Sequence, residues 1–420
     1  MTCNNFKIVS SDNSSKNIQQ INRNFTTERI TINTKMSEVN SNEFFNINWI
    51  CWKLLGLGLL AKDRKMSNFY VCWAILVNLV ATCSFPIHLF VGIFLSENKT
   101  MFFDSISITV TSIGASIKFL IIAIKMKKIL EMHALLRTLD ARVKHRQELQ
   151  NFHQQVRLRI LNIQRLYIVV YVSVGVSVLG AFLFGSEHRL FYSGWLPFDW
   201  RASYWYYAAA IVYQSICIFF QMMQTFCNDS FSPKALCILS AHIELLYMRT
   251  ARIGYDAVGK RQATLAKDEE ELNRCVLDQM NLYELYNTIQ DIISYAMFIQ
   301  FFVSVVNNCV AIVALLFFVT DLFDRIYYVI YILGMGIQLF PTCYYGSDFV
   351  LYFEKLHYAV FSCNWIGQSH SFKRHMMIFT ERSLRETVAM AGGIFPIHLD
   401  TFFKTCKATY SLFAVVMTMK

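Results

Sequence analysis

The stretch "LDTFFKTCKATYSLFAVVMTMK", residues 399–420, decides how the chain is read. As a helix it reaches ~33 Å at about 1.5 Å per residue, just one bilayer crossing. Asp400, Lys404, Lys407 or Ala408, Ser411, Val415 and Met419 follow one another at steps of three and four along one stripe. Phe402, Phe403, Leu412, Phe413 and Val416 take the other face. The stripe is charged, then small, then apolar along its length. A helix packed in its own bundle, with charges where it enters the membrane, accounts for this pattern. So does a helix lining a pore, whose wide end tolerates charge and whose apolar end gates by dewetting.

The rest of the chain supplies the membrane. It has 420 residues, 55% hydrophobic and only 16% charged, where soluble domains carry about 25% charge. Six further apolar runs, at 71–95, 105–124, 166–185, 204–227, 293–319 and 326–353, each meet the roughly 20 residues that a bilayer core requires. Lys and Arg orient them. Segments 1–70, 125–165, 228–286 and 354–398 hold 31 basic residues, and the alternate segments 96–104, 186–203 and 320–325 hold 4. That asymmetry predicts a cytosolic N-terminus and an extracellular C-terminus. It also accounts for the net charge of +10 by topology, with no nucleic-acid partner.

The expected fold is therefore all-α, a polytopic membrane protein of seven transmembrane helices. Residues 1–47 read as a polar cytosolic tail and 48–65 as an interfacial helix with Trp49 and Trp52 at headgroup level. Residues 66–353 hold spans one to six, 354–398 a cytosolic anchor segment, and 399–420 the seventh span. The basic loops carry Leu and Ile at helical spacing, so spans two to six are expected to continue as helices beyond the membrane and pack together there. No signal peptide is expected. The twelve cysteines avoid the three outer loops, so no disulfide framework is implied. Asn98, in "NKT" between spans one and two, is an acceptor for glycosylation by pattern alone.

Enzyme chemistry finds no support: there is no phosphate-cradling Gly loop, nucleophile elbow or HExxH, and no metal or cofactor is expected. His133, His145 and His153 read as solvated surface. Lys118 reads as a lysine snorkelling to the headgroups, Asn307 and Asn308 as helix–helix hydrogen-bonding groups, and Pro86 and Pro341 as kinks.

The run "WIGQSHSFKRHMMIFTERSLRETVAMAGGIFPIHLDTFFKTCKATYSLFAVVMTMK", Trp365 to Lys420, resembles the insect odorant receptor family. The matching features are its Trp, its basic-apolar helix, the Ala-Gly-Gly before "IFPIHLDTF" and the Tyr-Ser-x-Phe near the end. "LPFDW" at 196–200 fits the same family, as do the length and inverted topology from about residue 45 onward. Gustatory receptors, which share the fold, end in Thr-Tyr, five residues, then Gln-Phe. Here Thr409-Tyr410 is followed at that spacing by Val416-Met417. The odorant co-receptor carries a longer second cytosolic loop.

The resemblance implies an odorant-tuning subunit that assembles with the co-receptor as a tetrameric, ligand-gated, non-selective cation channel in the plasma membrane of olfactory sensory neurons. It implies that Val415 and Met419 form the gate and that Lys404, Ala408 and Ser411 line the pore. It further implies a volatile organic ligand bound inside the subunit, in the outer half of the membrane. By topology that site takes Ile106 and Thr109 from span two, Val178 and Phe182 from span three, Tyr207 and Ile211 from span four, and Tyr328 and Tyr331 from span six. Ordinary bundle packing accounts equally well for any one of these residues. A metabotropic seven-span receptor would need Lys420 in the cytosol, against the basic-residue asymmetry. An inverted-repeat transporter would need two matching halves, and no such repeat is visible.

Overall fold

The computed structural model describes residues 39–59, 68–94, 99–183, 190–192, 194–255, 265–319 and 322–418. Most of the expected tail, Asn98 and Met419 lie outside these residues. The helices in chain order are α1 (Asn46–Leu54), α2 (Asn68–Val77), α3 (Phe85–Phe94), α4 (Lys99–Ile124), α5 (Met126–Asp140) and α6 (Arg146–Asn151). They continue with α7 (Arg157–Leu183), α8 (Tyr204–Ala251), α9 (Leu265–Phe317), α10 (Leu322–Ser362), α11 (His370–Ser383) and α12 (Leu399–Thr418). Strands β1 (Met390–Ala391) and β2 (Phe395–Pro396) form a small antiparallel hairpin.

Six stretches are long and apolar enough to cross a membrane: Asn68–Phe94, Ser105–Ile124, Arg146–Gly180, Tyr204–Ala251, Leu265–Phe317 and Leu322–Ser362. Each contains or overlaps one of the six apolar runs, and α12 is the more polar seventh helix. The all-α polytopic fold is thus borne out. At Pro86 the chain passes from a π-helical stretch, Asn78–Ser84, into α3, whereas α10 stays helical through Pro341.

α8 is the axis of the bundle. Every residue from 227 to 243 is buried, and a helix that is buried on all sides must satisfy its polar groups internally. α10 runs along α8, α4 lies against α9, and α7 packs on α8 and α10. α7 presents Val169, Val172, Val176, Leu179 and Leu183 outward, as expected of a lipid-facing wall.

Beyond the apolar zone α8, α9 and α10 continue unbroken, and α5 and α6 join them. Buried charges clamp this end together. Arg249 pairs with Glu148 (3.0 Å) and Asp278 (2.6 Å), and Asp278 also takes Arg142 (2.9 Å). The two carboxylates beside the Arg142 guanidinium, Asp278 and Glu271, raise its pKa against the opposing effect of burial.

The N-terminal segment corrects two expectations. Residues from Val39 are packed rather than tail: Ser41 and Phe45 are wholly buried, and Ser41 donates to Asp140 (2.7 Å). α1 is docked in the bundle rather than lying in the interface. Trp52 is fully buried and donates to Asn228 (3.3 Å), and Trp49 donates to His133 Nε2 (3.0 Å). The amphipathic pattern was real, but its apolar face meets α5 and α8 rather than lipid. His133 is consequently buried, not solvated, and burial pushes its pKa down to about 4. Its Nε2 accepts from Trp49, so the proton sits on Nδ1, which faces Asn42 Oδ1.

Candidate ligand site and pore helix

α12 is rooted by the hairpin before it. Gln290 on α9 bonds both the N–H and the C=O of Met390 (2.8 Å each), and Gly392 N–H reaches the Ser294 carbonyl (3.0 Å). Gly392 has φ +60, and a Cβ there would stand 2.9 Å from the Phe298 ring, so the turn needs glycine twice over. The Leu399 N–H then donates to Ser347 on α10 (2.9 Å). From this root α12 leans on α9 and α10 through a stripe of threonines. Thr401, Thr405 and Thr409 are buried at i+4 spacing. The sequence puts Phe402, Phe403, Leu412, Phe413 and Val416 on the face away from the charged stripe. Phe402 does pack, against Phe340 (5.5 Å), but Phe403 is 63% exposed. In sequence a threonine reads as polar, because its methyl is small and its hydroxyl is the conspicuous group. On a helix that hydroxyl bonds the i−4 carbonyl, as Thr405 and Thr409 do, and leaves a compact apolar surface.

Much of the rest of α12 is open, Phe403 and Tyr410 included. Asp400, Lys404, Lys407, Ala408, Ser411 and Val415 are all exposed, and Asp400 pairs with Lys404 at 2.7 Å. The charged, small, apolar order read from sequence therefore lies on one continuous unpacked surface.

The expected ligand residues fall into two groups. On the first, Tyr328 and Tyr331 of α10 are buried in one cluster with Val303, Ala311, Ala314 and Met335, with Val110 of α4 beside it. Thr109 is also buried, and its hydroxyl donates to the Ser105 carbonyl (2.5 Å). Ile106 is half-buried. The sequence reading omitted Thr111, which lies 2.8 Å from the Tyr331 hydroxyl and accepts from Asn307 Nδ2 at 2.7 Å. Asn307 thus does bridge helices, as expected.

The second group lies near the connection between α7 and α8. Phe182 stacks on Phe191 (4.2 Å), and Tyr207 meets Trp200 (6.0 Å). Val178 and Ile211 are half-buried. This connection is held down at depth: Gln214 donates to the Tyr192 carbonyl (2.8 Å), and His88 Nδ1 is 2.6 Å from the Trp195 carbonyl.

A second polar layer corrects the reading of Lys118, which does not snorkel. It is 4% exposed and bonds Asp229 Oδ1 and Gln300 Oε1, each at 2.5 Å. Asp229 Oδ2 accepts from Tyr171 (2.8 Å), Tyr171 accepts from Gln338 (2.9 Å), and Gln300 Nε2 donates to Gln338 (3.2 Å). Five helices, α4, α7, α8, α9 and α10, meet in this one network. Lys118, Gln300 and Gln338 each stand seven residues from Thr111, Asn307 and Tyr331, so the two layers lie ~10 Å apart on the same three helix faces. The sequence signal is a charge inside one apolar run, Lys118, and an opposite charge just past the end of another, Asp229. Asp229 lies in α8 two residues past the fourth apolar run, which ends at 227.

A groove of about 520 Å³ opens elsewhere, between the end of α10 and α11, lined by Phe361, Trp365, Met376, Met377 and Leu384. It lies in the anchor segment, far along α10 from Tyr328 and Tyr331. No group of His, Cys, Asp and Glu suited to a metal occurs among the described residues.

The chain is thus a bundle of apolar spans that continues into a charged helical end and is closed by a hairpin-rooted terminal helix. The fold agrees with the solved olfactory receptor OR5 of Machilis hrabei in complex with eugenol, at a TM-score of 0.74 over 90% of this chain and 98% of that one, although only 14% of residues are identical. The 7tm Odorant receptor family profile matches residues 98–410. Among Drosophila melanogaster proteins, odorant receptor 59a is 38% identical and odorant receptor 23a is 34% identical, each match covering 91% of this chain and 98% of the relative. The chain belongs to the 7tm odorant receptor family.

Proposed function

We propose that this chain is the odorant-binding subunit of a ligand-gated, non-selective cation channel. It assembles with a co-receptor subunit as a heterotetramer in the plasma membrane of olfactory sensory neurons, with its N-terminus cytosolic and its C-terminus outside. The observation that carries the reading is the two-sided character of α12. Its threonine stripe is packed, while Asp400, Lys404, Lys407, Ala408, Ser411 and Val415 face away from the bundle. Charges on that face are costly against lipid and tolerable against water. Four such helices around an axis would line a pore with Lys404, Ala408 and Ser411 and close it with Val415 and Met419.

The ligand is a small volatile held in the half of the bundle nearer the short loops. Ile106, Thr109, Val178, Phe182, Tyr207, Ile211, Tyr328 and Tyr331 are its walls, and a solved relative of the same fold holds eugenol, a molecule of suitable size. The groove beside α11 supports subunit contact in the anchor segment.

The test is co-expression with a co-receptor in a cell line, with current recorded against a volatile panel and a C-terminal epitope stained on intact cells. Odorant-gated current and external staining are expected. Current without any co-receptor would overturn the partner requirement. Staining only after permeabilisation would overturn the topology and revive a metabotropic reading.

A further inference from the structure

Asn307 is wholly buried in α9, at the polar layer formed with Thr111 and Tyr331. The protons of that layer can be followed. Asn307 Nδ2 donates to Thr111 Oγ1 at 2.7 Å. Thr111 Oγ1 lies 2.9 Å from the Ser107 carbonyl and 2.8 Å from the Tyr331 hydroxyl. A carbonyl only accepts, so the single Thr111 proton goes to Ser107. The Tyr331 hydroxyl is therefore the donor in its contact with Thr111, and Thr111 is saturated, with one proton given and two lone pairs filled.

One strong group remains. Asn307 Oδ1 is buried and has no hydrogen-bond partner. On the adjoining face of α4 the Ser107 and Ser112 hydroxyls are also buried without partners. An orphaned carbonyl in an apolar interior is unfavourable and calls for a donor. Val110, Val303, Tyr328 and Met335, buried or half-buried in the same half of the bundle, make these surroundings apolar.

We propose that Asn307 Oδ1 receives the hydrogen-bond donor of the odorant itself, so that this receptor favours volatile alcohols and phenols over ethers, esters and aldehydes of the same skeleton. The inference rests on the odorant-gated reading above and assigns the chemical class of the ligand. An acceptor-only analogue in the same place would set lone pairs against Asn307 Oδ1 and leave it unpaired. Sites built to bond a ligand hydroxyl reject analogues that lack it much more strongly than apolar pockets reject a missing methylene. Asn307 is a specificity residue here, not part of the gate.

The experiment uses the full chain co-expressed with a co-receptor. The probes are three matched series: hexanol, hexyl methyl ether and hexanal; benzyl alcohol, benzyl methyl ether and benzaldehyde; phenol and anisole. Half-maximal concentrations are read for wild type and for Asn307→Leu, which keeps the volume and removes the acceptor together with the Nδ2 bond to Thr111. In at least one series wild type should respond to the hydroxyl compound at about tenfold lower concentration than to its ether, the value of roughly one hydrogen bond. In Asn307→Leu that ratio should fall towards one while the ether response persists. An ether or aldehyde preferred by wild type, or a ratio unchanged in the variant, would overturn the assignment. Should the variant fail to reach the surface, the wild-type ranking decides alone. Silence to every compound, with both subunits at the surface, would instead count against the odorant-gated reading, and this inference would fall with it.

Discussion

Replacing Lys118 by Met tests the buried layer most directly. The wild-type ammonium is held at 2.5 Å by both Asp229 and Gln300, and the pair's side chains are 5% and 4% exposed. In Lys118→Met the Asp229 carboxylate keeps only the Tyr171 hydroxyl (2.8 Å), and Gln300 Oε1 loses its donor. Removing one partner of a buried pair costs about 3–5 kcal/mol, because the remaining charge stays uncompensated. That is a large share of the roughly 5–15 kcal/mol that ordinarily separates folded from unfolded protein. Removing both charges together is far cheaper, since a desolvated pair only about balances its own burial. Lys118→Met should therefore depress the melting temperature of the detergent-solubilised protein and its surface level sharply. Lys118→Met combined with Asp229→Asn should recover most of both. Thermal melts followed by size-exclusion chromatography and surface biotinylation read the two quantities. A single variant that melts like wild type, or a double variant no better than the single, would refute the claim that the pair is buried and coupled.

His133 gives a pH prediction. Its pKa is about 4 in the folded protein against an ordinary 6.5, so the folded state binds fewer protons between those values. Stability should be full above pH 6.5 and fall as the pH drops towards 4, by about 2 kcal/mol at pH 5. Melts at pH 7 and 5 should show that slope in wild type and a shallower one in His133→Gln; equal slopes would remove His133 as the cause. Gly392→Ala should lower assembly, because a Cβ 2.9 Å from Phe298 at φ +60 loosens the root of α12; normal co-assembly by pull-down would contradict it. Val415→Ser should raise ligand-independent current, partially in a mixed tetramer, whereas half-buried Phe413→Ser should mainly lower surface expression. Unchanged conduction in Val415→Ser at normal surface level would take α12 out of the pore.

The spans were legible because twenty apolar residues in a row admit few alternatives, and the bilayer imposes them without reference to partners. Long-range pairing was not legible in the same way. Trp52 was read as interfacial and Lys118 as snorkelling because each is the ordinary fate of its residue type in isolation. What overrode that fate lies far along the chain: Asn228 for Trp52 and Asp229 for Lys118, adjacent residues of α8. A rule that reads one helix at a time has no access to a partner on another. The expected ligand residues show both sides. Tyr328 and Tyr331 share a face by periodicity alone, and they do cluster. Thr111 completes their polar contact but carries no mark in the sequence that separates it from the other hydroxyls of α4.

The two polar layers also bear on how a ligand signal could leave its site. Thr111 and Lys118, Asn307 and Gln300, and Tyr331 and Gln338 form three pairs, each seven residues apart on α4, α9 and α10. Seven residues are nearly two helical turns, so both members of each pair face the same seam. Turning or sliding α10 to relieve the Tyr331–Thr111 contact must also move Gln338 against Gln300 and Tyr171, since the helix between them is continuous. Gln338 leads in turn to Asp229 and Lys118, whose burial leaves no water to replace a broken bond. The lower layer thus resists small displacements and favours discrete ones, the behaviour required of an element with two arrangements. α10 carries Ser347 about two and a half turns beyond Gln338, and Ser347 holds the first N–H of α12. A shift of α10 about the charged layer would therefore reach the root of the proposed pore helix along one continuous helix, without a chain of intermediate side chains.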